Sequence, residues 1–159
     1  YGNKINCNDP IGEAIDKLKN GCLVAIKSIG GFNIACDFKN YESITLLRER
    51  KKRPTKPLAI MMNDINTVKK YCNINEKENE VLNSNRRPIV LLTKKDMKIL
   101  PENLAPYNKK IGVMLPYTPL HYLLFDDTLE GVIMTSCNIS GEPMIYKNDD
   151  INVQNKLID

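Results

Sequence analysis

No apolar run in this chain is long enough to span a membrane, and no signal-peptide core follows its first residue, Tyr1, so a soluble chain is expected. Its five cysteines (Cys7, Cys22, Cys36, Cys72, Cys137) include no C-x-x-C pair, and the odd count argues against a disulfide framework or a zinc knuckle. A reducing cytoplasm is the expected setting, with the thiols acting as small buried hydrophobes. The sequence also lacks a G-x-x-x-x-G-K phosphate loop and a G-x-G-x-x-G turn, so a nucleotide would have to be held by side-chain cations in place of a glycine-rich cradle. His121 is the single histidine, and with no G-x-S-x-G elbow it reads as a packing residue of an apolar helix, not a triad base. Asp37 and Asp126-Asp127 are isolated carboxylates, which leaves no expected protein-held metal. Internal repeats and low-complexity segments are absent.

What remains suits one globular unit. The 159 residues are 42% hydrophobic, enough for a sizeable core. We read residues 1–8 as a linker remnant and 9–159 as a single domain excised from a longer multidomain polypeptide. The net charge is +4, yet the nine residues Arg48 to Lys56 alone carry six cations against one carboxylate. Positive charge is concentrated at one place, unlike the uniformly basic surface of a nonspecific nucleic-acid binder.

Strand and helix signals alternate. Asp9-Pro10 predicts an N-cap and first helical residue, with Ile11, Ala14, Ile15 and Leu18 on one face and Gly21 as a left-handed terminator. Cys22 to Lys27 and Phe32 to Cys36 read as strands flanking the Ser28-Ile29-Gly30-Gly31 break. Asn40 caps an expected helix from Tyr41 to about Lys51, stopped by Pro54 and Pro57. Leu58 to Met62, Ile89 to Leu92, Ile111 to Leu115 and Val132 to Thr135 are strand-like, with helices expected over Asp64 to Cys72, Glu76 to Asn83 and from Thr118-Pro119 through Phe125, the last capped by Thr118. The tail beyond Asp149 is weakly patterned. The expected fold is α/β: a twisted, open sheet of mixed parallel and antiparallel strands flanked by helices.

Two stretches can do chemistry. Lys51-Lys52-Arg53-Pro54-Thr55-Lys56 sets several cations at fixed spacing between prolines that limit the entropy lost on ordering, an arrangement able to meet a triphosphate. The plainer reading is a solvated cationic helix end favoured by the macrodipole. The second stretch is Thr135 to Gly141, a hydroxyl- and amide-rich loop after a buried strand, where Ser136 and Asn138 can point the same way. An ordinary hydrogen-bonded turn explains it about as well. In open α/β sheets such a loop at a strand's carboxyl end is a common place for ligands.

Taken together, four blocks resemble the YrdC-like domain of HypF carbamoyltransferases, which mature nickel-iron hydrogenases: residues 47–61, 25–32, 114–121 and 134–143. They occur in order and span nearly the whole chain. The resemblance implies a YrdC-like fold in which Lys51, Arg53 and Lys56 contact ATP phosphates, Ser136, Asn138 and Thr118 contact the nucleotide, and Lys27, Gly31 and Phe32 lie near the second substrate. It further implies that carbamate and ATP, with Mg2+ arriving on the phosphates, give carbamoyl-adenylate and pyrophosphate. The carbamate would come from carbamoyl phosphate hydrolysed by an acylphosphatase domain. Zinc-finger and Kae-type transfer domains would complete the polypeptide, and HypE would be the final acceptor. On this reading Lys51 and Arg53 are surface residues, while Arg48, Arg50 and Lys52 are solvated helix-end charges.

The chain departs from the family at Asn33, Ser28 and Cys137, where His, Gly and Ala are common; Asn33 removes an acid or base there. Threonylcarbamoyl-AMP synthases share the domain type, but the arginine of their V-R-x-P pattern is replaced here by Met114 and the tyrosine of T-V-Y-G by Phe32. An RNA-binding module is disfavoured because only Tyr41 and Tyr71 lie near the cations and aromatics make up 6% of the chain.

Overall fold

The structure, a computed structural model, describes residues 6–139, 141–148, 157 and 158. Most of the expected linker remnant and of the tail lies outside the described residues. In chain order the elements are α1 (Pro10–Lys19), β1 (Val24–Ser28), β2 (Gly31–Asp37), α2 (Tyr41–Arg50), β3 (Ile60–Met62), α3 (Ile65–Tyr71), β4 (Cys72–Asn73), α4 (Glu76–Asn83), β5 (Val90–Lys94), β6 (Lys110–Met114), α5 (Pro119–Leu123) and β7 (Gly131–Ser136).

The helices begin where short polar side chains can satisfy their free N–H groups. Asp9 accepts from Gly12, Asn40 from Ser43, Asp64 from Thr67, and Asn75 forms a reciprocal capping box with Glu78. Gly21, at φ +84°, ends α1 in the left-handed region that glycine tolerates. The helix expected to begin at Thr118-Pro119 does start at Pro119 but ends at Leu123, short of Phe125. Its last turn closes at Leu124, before the carboxylates Asp126 and Asp127.

Among the described residues seven strands form one sheet in the order β1-β2-β7-β3-β6-β5-β4. Only the β3–β6 pair among them is parallel; the other pairings are antiparallel. The mixed, open sheet expected from the sequence is therefore present. The two-residue β4 and the 3-10 turn at Glu102–Leu104 escape the sequence because neither carries a periodic pattern.

Cross-strand partners share a face of a sheet, so the register divides the side chains into two layers. Ile60 pairs with both Ile133 and Val113, and Leu92 pairs with Ile111, placing these residues on the face covered by α2, α3 and α4. Leu47 from α2, Val68 from α3 and Leu82 from α4 are fully buried against that face, each contributing roughly 2 kcal/mol of hydrophobic stabilisation. On the opposite face Met61 pairs with Val132 and Met114, and Ala35 with Met134. There Leu18 of α1 and Leu124 after α5 complete a smaller core. The cover provided by α1 and α5 stops short of the strand ends around Ser136, Ala59, Gly112 and Leu91. A cleft opens at that place.

Candidate active site

The cleft has a volume of about 450 Å³. Its floor is the uncovered part of the sheet, built from Leu91, Gly112, Met114 and Met134, while Asn33, Arg53, Tyr117 and Ser136 supply polar groups at its walls. Both stretches singled out in the sequence thus reach one cavity. The position is at the carboxyl end of β7 but at the amino ends of β2 and β3, so the strand-end rule for parallel sheets does not describe it.

Lys51 is the residue that brings the stretches together. It follows the last turn of α2 and is 1% exposed, which corrects the expectation of a surface side chain. Its ammonium donates to the Ser136 carbonyl at 2.5 Å, to the Asn138 carbonyl at 2.7 Å and to Asn138 Oδ1 at 3.0 Å. An ammonium has three donors, and all three are taken. Ser136 Oγ donates to the same Asn138 Oδ1 at 2.7 Å, and Asn138 Nδ2 donates to the Glu142 carbonyl. The two side chains that the sequence placed one residue apart do meet. Burial, reinforced by the nearby Arg53 charge, lowers the Lys51 pKa to about 8.

Arg48 is also buried, contrary to the expected solvated charge. Its guanidinium donates to five backbone carbonyls, those of Asn103, Arg53, Pro54, Lys56 and Leu104. Three of these lie in the basic loop and two in the 3-10 turn, so Arg48 pins the loop against the scaffold. The sequence signal was a cation one turn before the loop, indistinguishable by spacing from the macrodipole charges beside it.

Arg53 is half-buried and lines the cleft. It donates through Nη2 to the Pro57 carbonyl at 2.6 Å and through Nε to the Lys56 carbonyl at 3.5 Å. Among the described residues Nη1 has no acceptor, leaving one edge of the fork for an anion. Burial lowers its pKa from the ordinary arginine value. Lys56 is exposed and contributes its carbonyl to Arg48; its ammonium has no described partner and is not part of the cleft wall.

The hairpin residues sit beside this centre. Gly31 adopts φ +136°, and a Cβ there would come within 2.5 Å of the Ile145 carbonyl, so no larger residue fits without movement. The Phe32 N–H donates to that carbonyl at 2.7 Å, and the Cys137 N–H donates to the Phe32 carbonyl at 2.8 Å, docking the hairpin on the Ser136–Asn138 loop. Lys27 is exposed, donates to Asn148 Oδ1 at 2.6 Å and lies over the Phe32 ring. Asn33, opposite Ser136 in the register, donates to Ser28 Oγ at 2.8 Å. Both of those departures from the family pattern therefore pair with each other.

Thr118 serves as the cap of α5, accepting from the His121 N–H, and does not line the cleft; its neighbour Tyr117 does. His121 is fully buried with its ring edge-on to Tyr117 at 4.4 Å, and burial lowers its pKa. It packs, as its apolar helix suggested. Of the cysteines, Cys36, Cys72 and Cys137 are buried, while Cys22 is half-buried and Cys7 exposed. Among the described residues no helix is long and apolar enough to cross a membrane.

Comparison with known proteins bears on this arrangement. A family model for Sua5, YciO and YrdC proteins, described as telomere recombination, matches residues 16–158. The chain belongs to the Sua5/YciO/YrdC family. Within that family it is 44% identical over 143 residues to carbamoyltransferase HypF from Synechocystis sp. (strain ATCC 27184 / PCC 6803 / Kazusa), covering 90% of this chain and 19% of that protein. A crystal structure of full-length HypF, solved in a phosphate- and nucleotide-bound form, superposes with a TM-score of 0.92 at 43% identity, covering 98% of this chain and 21% of that one. Threonylcarbamoyl-AMP synthase from Bos taurus is more distant, 23% identical over 130 residues, covering 81% of this chain and 47% of that protein. The resemblance to the YrdC-like domain of HypF holds across the chain, which spans about a fifth of the length of the HypF proteins it matches.

Proposed function

We propose that this YrdC-family chain binds MgATP in the 450 Å³ cleft and converts it with carbamate to carbamoyl-adenylate. The observation that carries the reading is the Lys51 tie, which draws the Ser136–Asn138 loop and the basic loop to one mouth of an otherwise apolar pocket. A carbamate oxygen attacks the α-phosphorus, a new P–O bond forms, and the α–β bridging bond breaks to release pyrophosphate. Charge grows on the phosphoryl oxygens and the leaving group, where the free edge of Arg53 and the Lys51 charge would stabilise it most. Ser136 and Asn138 would orient the nucleotide, with Lys56 meeting the outer phosphates as the loop closes on them. Thr118 would act at most through the position of Tyr117. Lys27, Gly31 and Phe32 would border the carbamate.

Among the described residues no three of His, Cys, Asp and Glu gather to hold a metal. Mg2+ would arrive with the ATP, held mainly by phosphate oxygens and water, as befits a small, reluctantly dehydrated ion. Met114 on the cleft floor disfavours threonine as the second substrate, since it offers no charge to an amino-acid carboxylate. In the longer polypeptide, an acylphosphatase domain would supply carbamate from carbamoyl phosphate. A Kae-type domain would then pass the carbamoyl group toward HypE for hydrogenase maturation. The test is equilibrium binding of MgATP to the parent chain and to Arg53→Ala: a saturable site weakened at least tenfold supports the reading, and equal affinity contradicts it.

A further inference from the structure

A second cavity, about 830 Å³, lies on the other side of the sheet. Strand β5 separates the two: the cleft uses Ile89 and Leu91, while this cavity is lined by Lys94, which follows Leu92 on the α-covered face. Lys94 is only 6% exposed overall, but its ammonium keeps contact with solvent and has no hydrogen-bond or carboxylate partner among the described residues. Its backbone is conventional, donating to the Lys109 carbonyl. The stem is covered while the charged head stays accessible in the lining of the cavity, so an anion there would meet it with no protein acceptor in competition.

The surroundings do not neutralise it. Lys39, on the cavity wall, is committed to Glu130, which also receives Lys70 and the Tyr71 hydroxyl. Lys98 lines the wall with no acceptor for its ammonium among the described residues, and Glu102 is the one carboxylate of the lining. The rest is apolar or aromatic, with Leu100 at the base and the rings of Tyr71 and Tyr107 at the sides. Burial holds Lys94 below the ordinary lysine pKa, so a compensating charge would be felt strongly there.

We propose that this cavity is a second ligand site, separate from the cleft, that takes a small organic anion: a phosphate or carboxylate on Lys94 and Lys98, joined to an apolar or aromatic body against Leu100 and Tyr71. The two ammonium groups recognise the charged end, while the walls supply the larger, less specific share of the contact area.

The probes are phenyl phosphate, inorganic phosphate and phenol, titrated into the 159-residue chain with MgATP present and followed by the lysine side-chain and tyrosine NMR signals. Phenyl phosphate is expected to bind saturably and at least tenfold more tightly than either fragment. Lys94→Met should weaken it at least tenfold while leaving the thermal midpoint unchanged or higher; Lys98→Met, at an exposed position, should weaken it several-fold; Arg53→Ala should leave it unchanged. The proposal is overturned if phenyl phosphate does not bind, if inorganic phosphate binds as well, if both lysine variants bind like the parent, or if MgATP competes with it.

Discussion

The Lys51 ammonium sits 2.7 Å from the carbonyl oxygen and 3.0 Å from the side-chain oxygen of Asn138, a residue 87 positions further along the chain. A cation expected to project toward phosphate is thus a structural cross-link between two loops. Its ammonium is bonded to the carbonyl of Ser136, a residue of the cleft wall, and all three of its donors are occupied by protein acceptors. Positioning and charge are combined in one side chain.

The first prediction concerns pH. Lys51 titrates at about 8 when folded, against 10.5 for an ordinary lysine, because burial penalises the ammonium. Between these values the unfolded chain holds the extra proton, so this group makes stability rise with pH from about 8 to 10.5. Nucleotide affinity should move the opposite way, falling above about 8 as the charge is lost. Denaturant midpoints and MgATP titrations across this range check both slopes, and Lys51→Met should abolish both.

Asn138→Asp separates loop structure from charge. The carboxylate keeps an acceptor for Lys51 and Ser136 but removes the donor to Glu142 and sets a negative charge beside the proposed phosphates. Stability is expected to change by less than about 1 kcal/mol, because one hydrogen bond is lost and an ion pair gained. MgATP affinity should fall at least tenfold, as measured by calorimetry.

Removing Arg48 should cost far more than removing Arg53. Arg48→Met removes a donor from five carbonyls, of which those of Lys56 and Leu104 keep another, and the acceptors left unsatisfied make a loss of about 3 kcal/mol the expectation. Arg53→Ala gives up two contacts of a half-exposed group, worth about 1 kcal/mol. Paired urea denaturation curves give the comparison.

On the acid side, Glu130 is held at about 2, below its ordinary 4.5, first by Lys39 and then by Lys70 and Tyr71. Its contribution to stability is present above about 4.5 and is lost as pH falls toward 2. Glu130→Gln should flatten the stability profile in that window and leave nucleotide affinity at neutral pH unchanged. Thermal denaturation at stepped pH measures this.

Much of the scaffold was legible because it rests on local signals. Asp9-Pro10, Asn40 and Thr118 mark helix starts through short-range capping chemistry, and the apolar runs at Ile60, Ile111 and Val132 mark buried strands through composition. The two-residue β4 carries no such signal, since it is defined by its partner in β5. At the candidate site the resemblance named the two loops that Lys51 ties together, but not the contacts of their cations. Arg48, Lys51 and Arg53 look alike in sequence; whether each meets solvent, a carbonyl or a ligand depends on the 3-10 turn and on β7, both more than fifty residues away. Long-range contacts of that kind leave no periodicity to read.

The central claim is most directly tested by the product formed from MgATP and carbamate, the latter generated from carbamoyl phosphate with an added acylphosphatase. We predict pyrophosphate release and a species with the mass of carbamoyl-adenylate, absent with Arg53→Ala. A new adenylate mass only when threonine and bicarbonate replace carbamate would contradict the account.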